Sequence, residues 1–533
     1  MTRRSRPPQA APSHAGITRR QALSGALTGA AAVASGLALA GCGSAEPARG
    51  SDGSTLHSTW IDPHGDGQLQ VGPGEPLLDR VELGARQPVM GELARFAHIT
   101  DAHVMDASSP ARVPFLARLG PPLQSTFRPQ EALTAQVLHG AINAVRALQP
   151  DVVIQGGDLI DNDQNNELEH ALTLLHGGRI SPGSGSHGYY GVQSAFDPDP
   201  FYYRPDIDAP RHPGMLTAAV RPFHSKGLGA EWIPVLGDHD ALVAGELVPS
   251  SLTRQLAVGA RALWSLPPHL RLPAGFTLNP TGSPDGPPDG QYVESFLQQA
   301  LAGPTVRVPA DRTRSELSFA EVIERLSSNA RTPIQQRLGA TEIAPAEALN
   351  YVRDVGDSLR LIVLDLVRRD GGSGGLVTAG QRKWLSTQLS SAKQRWVIVI
   401  SHQPLAGSSG GEQLLTLMDQ HPRVIAALAG HIHRNEIRIR HTPAGGYWLI
   451  TTASLIDFPQ QARALRLVAT AHGGVALQTW MLDHVDDGRL GRFSRELSYL
   501  DASGGRPMGF SGTSLDRNVT LYRDAPAAGS RTS

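Results

Sequence analysis

Cysteine is almost absent: the 533 residues contain one, Cys42. No disulfide can form within a single chain, and no cysteine-based metal site exists. An excess of charge of either sign is also missing. The 48 Lys and Arg stand against 49 Asp and Glu, a formal charge of -1. Without a basic field to hold a phosphate backbone, nucleic-acid binding is not expected. No internal repeat is evident. Tyrosine is scarce, nine in all, yet Tyr189, Tyr190, Tyr202 and Tyr203 gather in one Gly- and Pro-rich run, 177–213.

A long uncharged stretch occurs at the N-terminus. Thr18-Arg19-Arg20-Gln21-Ala22-Leu23 is a twin-arginine pattern, followed by apolar Ala22 to Ala40 with no charge until Glu46. Its many Gly, Ser and Thr residues keep it only mildly hydrophobic, so an export signal is expected rather than a membrane span. The stretch ends in Leu39-Ala40-Gly41-Cys42, which resembles a bacterial lipobox, and acylation of Cys42 would anchor the chain. The expectation is a signal over 1–42, export by the twin-arginine pathway, and a lipid anchor at the outer face of the membrane in the cell envelope. An unprocessed anchor helix is the alternative. Residues 43–90, turn-rich at first, read as a tether, and 486–533 as a polar tail in which Val519 and Leu521 could pack back as a short strand.

What the chain has is an ordered series of Asp and His: Asp101-Ala102-His103, Gly157-Asp158, Gly237-Asp238-His239-Asp240, His402 and Gly430-His431-Ile432-His433. Each piece alone is weak; Asp-x-His recurs at Asp62-Pro63-His64 and Gly-Asp at Gly356-Asp357. Context separates them. Phe96 to Thr100, Val152 to Ile154, Ile233 to Leu236, Val397 to Ile400 and Val424 to Ala429 are short apolar runs that read as buried strands, each ending beside one of the series. Ligands bind at the carboxyl ends of strands in α/β sheets. Two divalent ions sharing a carboxylate could turn water into a nucleophile near neutral pH and clamp a phosphate against it.

The five motifs, from Phe96 to about Leu455, resemble those of the calcineurin-like metallophosphoesterase superfamily, which run DxH, GD, GNH(D/E), H, GHxH. The resemblance implies a four-layer α/β/β/α sandwich and a small-molecule phosphate ester hydrolysed by a hydroxide bridging two divalent or trivalent ions, with Mn, Fe and Zn all suited. It implies that Asp101, His103 and His433 bind one ion, that Asp158 bridges, and that Asp238, His402 and His431 bind the other. His239 would be catalytic, protonating the leaving oxygen or steadying the phosphoryl group, with Asp240 orienting its ring. The chain departs from the pattern at Asp238, where the family has Asn; the added charge should hold the second ion more firmly and weaken its Lewis acidity. Purple acid phosphatases carry Tyr where Asp161 stands, so their tyrosine-ligated iron is not expected; Asp161 could equally be a turn-former. Cyclic nucleotide or glycerophosphodiester hydrolysis, and a weakly active binding protein on the same fold, are alternatives.

Around the motifs a βα rhythm is visible. Residues 129–148 have helical spacing, Thr378 opens a helix with a capping box, and 464–481 read as a hairpin about Gly473-Gly474. The hydrolase domain is expected over 91–485, with insertions near 176–228 and 245–350 that either cap the metal site or are ordinary surface decoration. The oligomeric state is not legible.

Overall fold

A computed structural model describes residues 53–119, 123–186, 188–265, 290–330, 348–485, 488–505 and 511–526. Arg19, Arg20 and Cys42 lie outside them. Among the described residues no helix is long and apolar enough to cross a membrane.

Two sheets form the centre. One has seven strands in the order Leu78–Leu83, Val519–Arg523, Val475–Asp483, Gln461–Thr470, Val89–Ile99, Val152–Gln155 and Trp232–Pro234. The other has six: Tyr351–Val355, Leu359–Leu364, Trp396–Ser401, Val424–Ala429, Tyr447–Thr451 and Glu436–Arg440. Val89–Ile99, Val152–Gln155 and Trp232–Pro234 run parallel. So do the four strands from Leu359–Leu364 to Tyr447–Thr451. Parallel strands need cover on both faces, which is why they read as unbroken apolar runs.

Side-chain alternation then divides the layers. Within Trp396–Ser401, Ile398 and Ile400 join the large core shared with the first sheet. Val397 and Val399 face the other way, into a cluster with Trp384, Leu385, Leu414 and Leu415 of helices Ala379–Ser391 and Gly411–Met418. On the first sheet, Leu138, Ala141, Ile142 and Val145 of helix Thr134–Leu148 enter the large core. The result is the four-layer α/β/β/α sandwich.

Local signals hold where they were strong. The helix expected over 129–148 begins as a 3-10 turn, Glu131–Leu133, and ends at Gln149, whose left-handed φ of 52° halts it before Pro150. Thr378 caps its helix by accepting from the Gln381 amide. Gln461–Thr470 and Val475–Asp483 pair antiparallel about Gly473-Gly474.

Both flanks require correction. From Gly53 onward the expected tether is folded: Thr55 N–H donates to Met481 O at 3.0 Å, and Leu78–Leu83 is an edge strand of the first sheet. Its turn-rich composition serves a hairpin, Ser58–Ile61 with Gln70–Pro73. Asp62 of the stray Asp-x-His is a turn residue there, accepting from Gly65 N at 2.7 Å and Gly67 N at 2.8 Å. The tail contains helix Arg489–Ser503 and strand Val519–Arg523, the latter inserted between Leu78–Leu83 and Val475–Asp483. Polar composition hid the helix; the strand is the one Val519 and Leu521 suggested.

Candidate metal centre

Every motif residue lies at or just past the end of a core strand. Asp101 and His103 follow Val89–Ile99, Asp158 follows Val152–Gln155, and Asp238 follows Trp232–Pro234. His402 follows Trp396–Ser401, and His431 and His433 follow Val424–Ala429. Five of these residues are left-handed: Asp101 (φ 52°), His103 (43°), Asp158 (48°), His431 (66°) and His433 (52°). Such angles are uncommon away from glycine and persist where neighbouring structure over-determines them. Here backbone bonds do so: Asp101 N donates to Gly157 O and His103 N to Asp158 O, both at 3.0 Å. Gly237 is required for close approach, since a Cβ there would collide with the Asp158 carboxylate.

The series converges. Asp158, Asp238, His402 and His431 present donor atoms within 4.8 Å of one another, and so do Asp101, His103 and His433. The sets meet at Asp158, whose Oδ2 is 3.0 Å from His402 Nε2 and 3.7 Å from His103 Nε2. Asp238 Oδ1 lies 3.3 Å from His431 Nδ1, and Asp101 Oδ1 lies 3.2 Å from His433 Nε2. His402 is wholly buried, yet its Nε2 makes no hydrogen bond. Oxygens of Asp158, Asp238 and Asp101 stand 3.0, 3.4 and 3.8 Å away. Burial pushes the His402 pKa down, but Asp158 and Asp101 pull it well above the usual range. Burial would likewise raise Asp101, and the charges of His433 and His402 hold it below the carboxylate range. The cluster demands positive charge, and its donors fit metal ions.

Partners outside the motifs aim the ligand candidates. His402 Nδ1 donates to Gly156 O at 2.8 Å. Gln403 Nε2 donates to Asp238 Oδ1 at 2.9 Å, a bond that an aspartate oxygen accepts as readily as an Asn carbonyl would. His433 Nδ1 meets Asp457 Oδ2 at 2.6 Å, and His103 Nδ1 meets Asp161 Oδ1 at 3.2 Å. Gln403 adjoins a motif histidine and was findable; Asp457 carries no local signal.

His239 lies at the edge of the cluster, its ring 4.5 Å from that of His103. Its Nδ1 donates to the Asp161 carbonyl at 2.7 Å, leaving Nε2 to exchange a proton. Burial opposes its charged form, but Asp158, Asp161 and Asp238 raise its pKa overall. Asp240 does not orient that ring, as the resemblance implied. Its carboxylate accepts from Gly237 N, Leu159 N and Ile160 N at 2.9, 2.8 and 3.2 Å. It therefore ties the Asp158 loop to the Asp238 loop, and burial, then the Asp158 charge, push its pKa up to about 7.

Above the cluster is a cleft of about 290 Å³. Among the described residues, 176–228 contributes nothing to its lining and 245–350 contributes Glu246. The wall expected from the insertions comes instead from Arg112, Val113, Ser125, Thr126 and Arg128. The tyrosine run packs elsewhere: Tyr202 is buried against Phe127 and Val192.

No protein-family model matches the chain, and no curated protein does. Solved structures with some likeness include a dimetal phosphatase from Danio rerio, at TM-score 0.39 and 14% identity, covering 74% of this chain and 98% of that one. PhoD has TM-score 0.31 and 11% identity over 83% and 81%. The sulfate thiohydrolase SoxB from Thermus thermophilus has TM-score 0.26 and 12% identity over 79% and 62%. What the centre can do follows from its own side chains.

Proposed function

We propose that this protein is a phosphoric ester hydrolase that works with two metal ions and takes small phosphomonoesters or phosphodiesters. The observation that carries the reading is the pair of donor sets meeting at Asp158, with the orphaned His402 Nε2 among three carboxylates. Asp101, His103 and His433 would hold one ion, and Asp238, His402 and His431 the other, with Asp158 reaching both. Manganese, iron and zinc suit this mixture of imidazole and carboxylate. Two such ions, when bound, polarise phosphoryl oxygens and make water nucleophilic near neutral pH. His239, tethered through Nδ1, would pass a proton from Nε2 to the leaving oxygen. The cleft of about 290 Å³ suits a small ester. The full charge of Asp238 favours a second reading, a weakly active binding protein on the same fold.

The test is hydrolysis of aryl phosphate monoesters, aryl diesters, cyclic nucleotides and glycerophosphodiesters, with and without added Mn or Zn, alongside elemental analysis. Two ions per chain with metal-dependent turnover are expected. Two ions without turnover on any ester would select the binding reading, and a chain that takes up no metal would end both. We also propose that the protein is exported by the twin-arginine pathway and lipid-anchored through Cys42 at the outer face of the membrane, on the strength of the N-terminal pattern.

A further inference from the structure

We infer that Asp457 and Asp161 are positioning residues that aim His433 and His103 at one metal position, and that Arg128 and Arg112 fasten both to the wall of the cleft. The inference rests on the two-metal reading and concerns partners beyond the seven ligand candidates.

Asp457 is wholly buried. One of its oxygens meets His433 Nδ1 at 2.6 Å, and Arg128 grips the carboxylate from the other side, Nε to Oδ1 at 2.6 Å and a terminal nitrogen to Oδ2 at 3.0 Å. The same loop holds Asp101, whose carbonyl accepts from Leu455 N and Ile456 N at 3.1 and 3.2 Å. Asp161 repeats the arrangement more loosely. Its Oδ1 faces His103 Nδ1 at 3.2 Å, and its Oδ2 faces Arg112 Nε at 3.7 Å. Arg112 closes on Glu131 through two bonds, 2.6 and 3.0 Å, and Glu131 accepts the Arg128 amide at 3.1 Å. The two arginines are thus joined through one buried glutamate.

A carboxylate behind an imidazole accepts Nδ1–H, fixes the tautomer, and leaves a more basic Nε2 for a metal. Both histidines of the Asp101 set have such backing. His402, of the other set, has only the neutral Gly156 carbonyl. The arginines also carry the wall: Arg128 donates to Ser125 O at 2.6 Å and Arg112 to Thr126 O at 3.1 Å. The side chains that aim the ligands and the surface a substrate would meet form one connected unit.

The experiment compares wild type, Asp457→Asn and Asp457→Ala, each loaded with Co²⁺ and titrated with chelator while the visible spectrum is followed. Asp457→Ala should weaken one of two ions by about 10- to 100-fold, the usual cost of removing such a partner, with spectral change confined to that ion. Asp457→Asn keeps an oxygen for the His433 N–H and should fall between. Unchanged affinity and spectrum in Asp457→Ala would overturn the inference. So would equal weakening of both ions accompanied by a drop in the metal-free unfolding midpoint, since that marks a merely structural ion pair. A wild type that binds fewer than two ions would instead defeat the two-metal reading itself.

Discussion

The two sheets bring opposite chemistry to the centre. The first carries every carboxylate of the donor sets, Asp101, Asp158 and Asp238, with His103; the second carries His402, His431 and His433. Neither sheet alone offers a mixed set able to hold two ions, so the centre exists only where their strand ends meet. Burial also differs, within the imidazole half as well as between the halves. Asp101, Asp158 and Asp238 are all buried, whereas the side chains of His431 and His433 are 23% and 12% exposed. His431 and His433 open to the cleft, whose lining Asp158, Asp238 and His103 also reach, while His402 is sealed in the core.

The largest break should come from Asp158→Ala on the acidic half, because its carboxylate faces both donor sets. Loss of both ions and of turnover by about a thousandfold or more is expected, several kcal/mol of barrier. Elemental analysis and phosphatase assay check it, and retention of either ion would mean Asp158 does not reach both. His402→Ala, on the imidazole half, should cost one ion and leave the other. Chelator titration separates the cases, and a variant that keeps both ions and full activity would remove His402 from the ligand set.

Asp238→Asn sharpens the comparison by taking one charge from the acidic half while keeping its shape. The more electropositive centre should make bound water more acidic, so the activity profile moves to lower pH. Half-maximal activity should need more metal. Each pKa unit is worth about 1.4 kcal/mol, so a modest shift is measurable; an unchanged profile together with an unchanged metal requirement would place Asp238 outside the ligand set.

A smaller effect is expected from buried acids that lack imidazole partners. Asp163 has both oxygens unpaired, and Glu316, pushed up to about 7 chiefly by burial, raises it further. A folded-state pKa above the unfolded value means stability is fullest below about pH 4.5 and declines as pH rises through 7. Glu316→Gln should flatten that decline, raising the unfolding midpoint at pH 8 by roughly 1–3 °C with no gain at pH 4. An identical pH slope in the variant would refute it. Cys42→Ser should leave both halves untouched, with metal content and turnover as in wild type, and release the protein from membranes. If it stays bound after an alkaline wash, an uncleaved anchor helix is indicated.

The strands, their ends and the seven ligand candidates were legible because each signal is local. Apolar runs of strand length, the glycines before Asp158 and Asp238, and the capping box at Thr378 depend on residues a few positions apart, and short-range sterics and hydrogen bonding decide them. The flanks misled for the same reason: turn-rich and polar composition describes the hairpin at 58–73 and the surface of helix Arg489–Ser503, but does not report that Leu78–Leu83 and Val519–Arg523 pair into the first sheet. Only the tertiary structure assigned Asp457 to His433 and Arg128 to Asp457, the latter across 329 positions, moved Asp240 from its histidine to the backbone of the neighbouring loop, and built the cleft wall from Arg112, Val113, Ser125, Thr126 and Arg128. A carboxylate's partner is whatever donor the packed sheets bring within about 3 Å of it, and that distance is set by how the layers meet, on which neighbours along the chain carry no information.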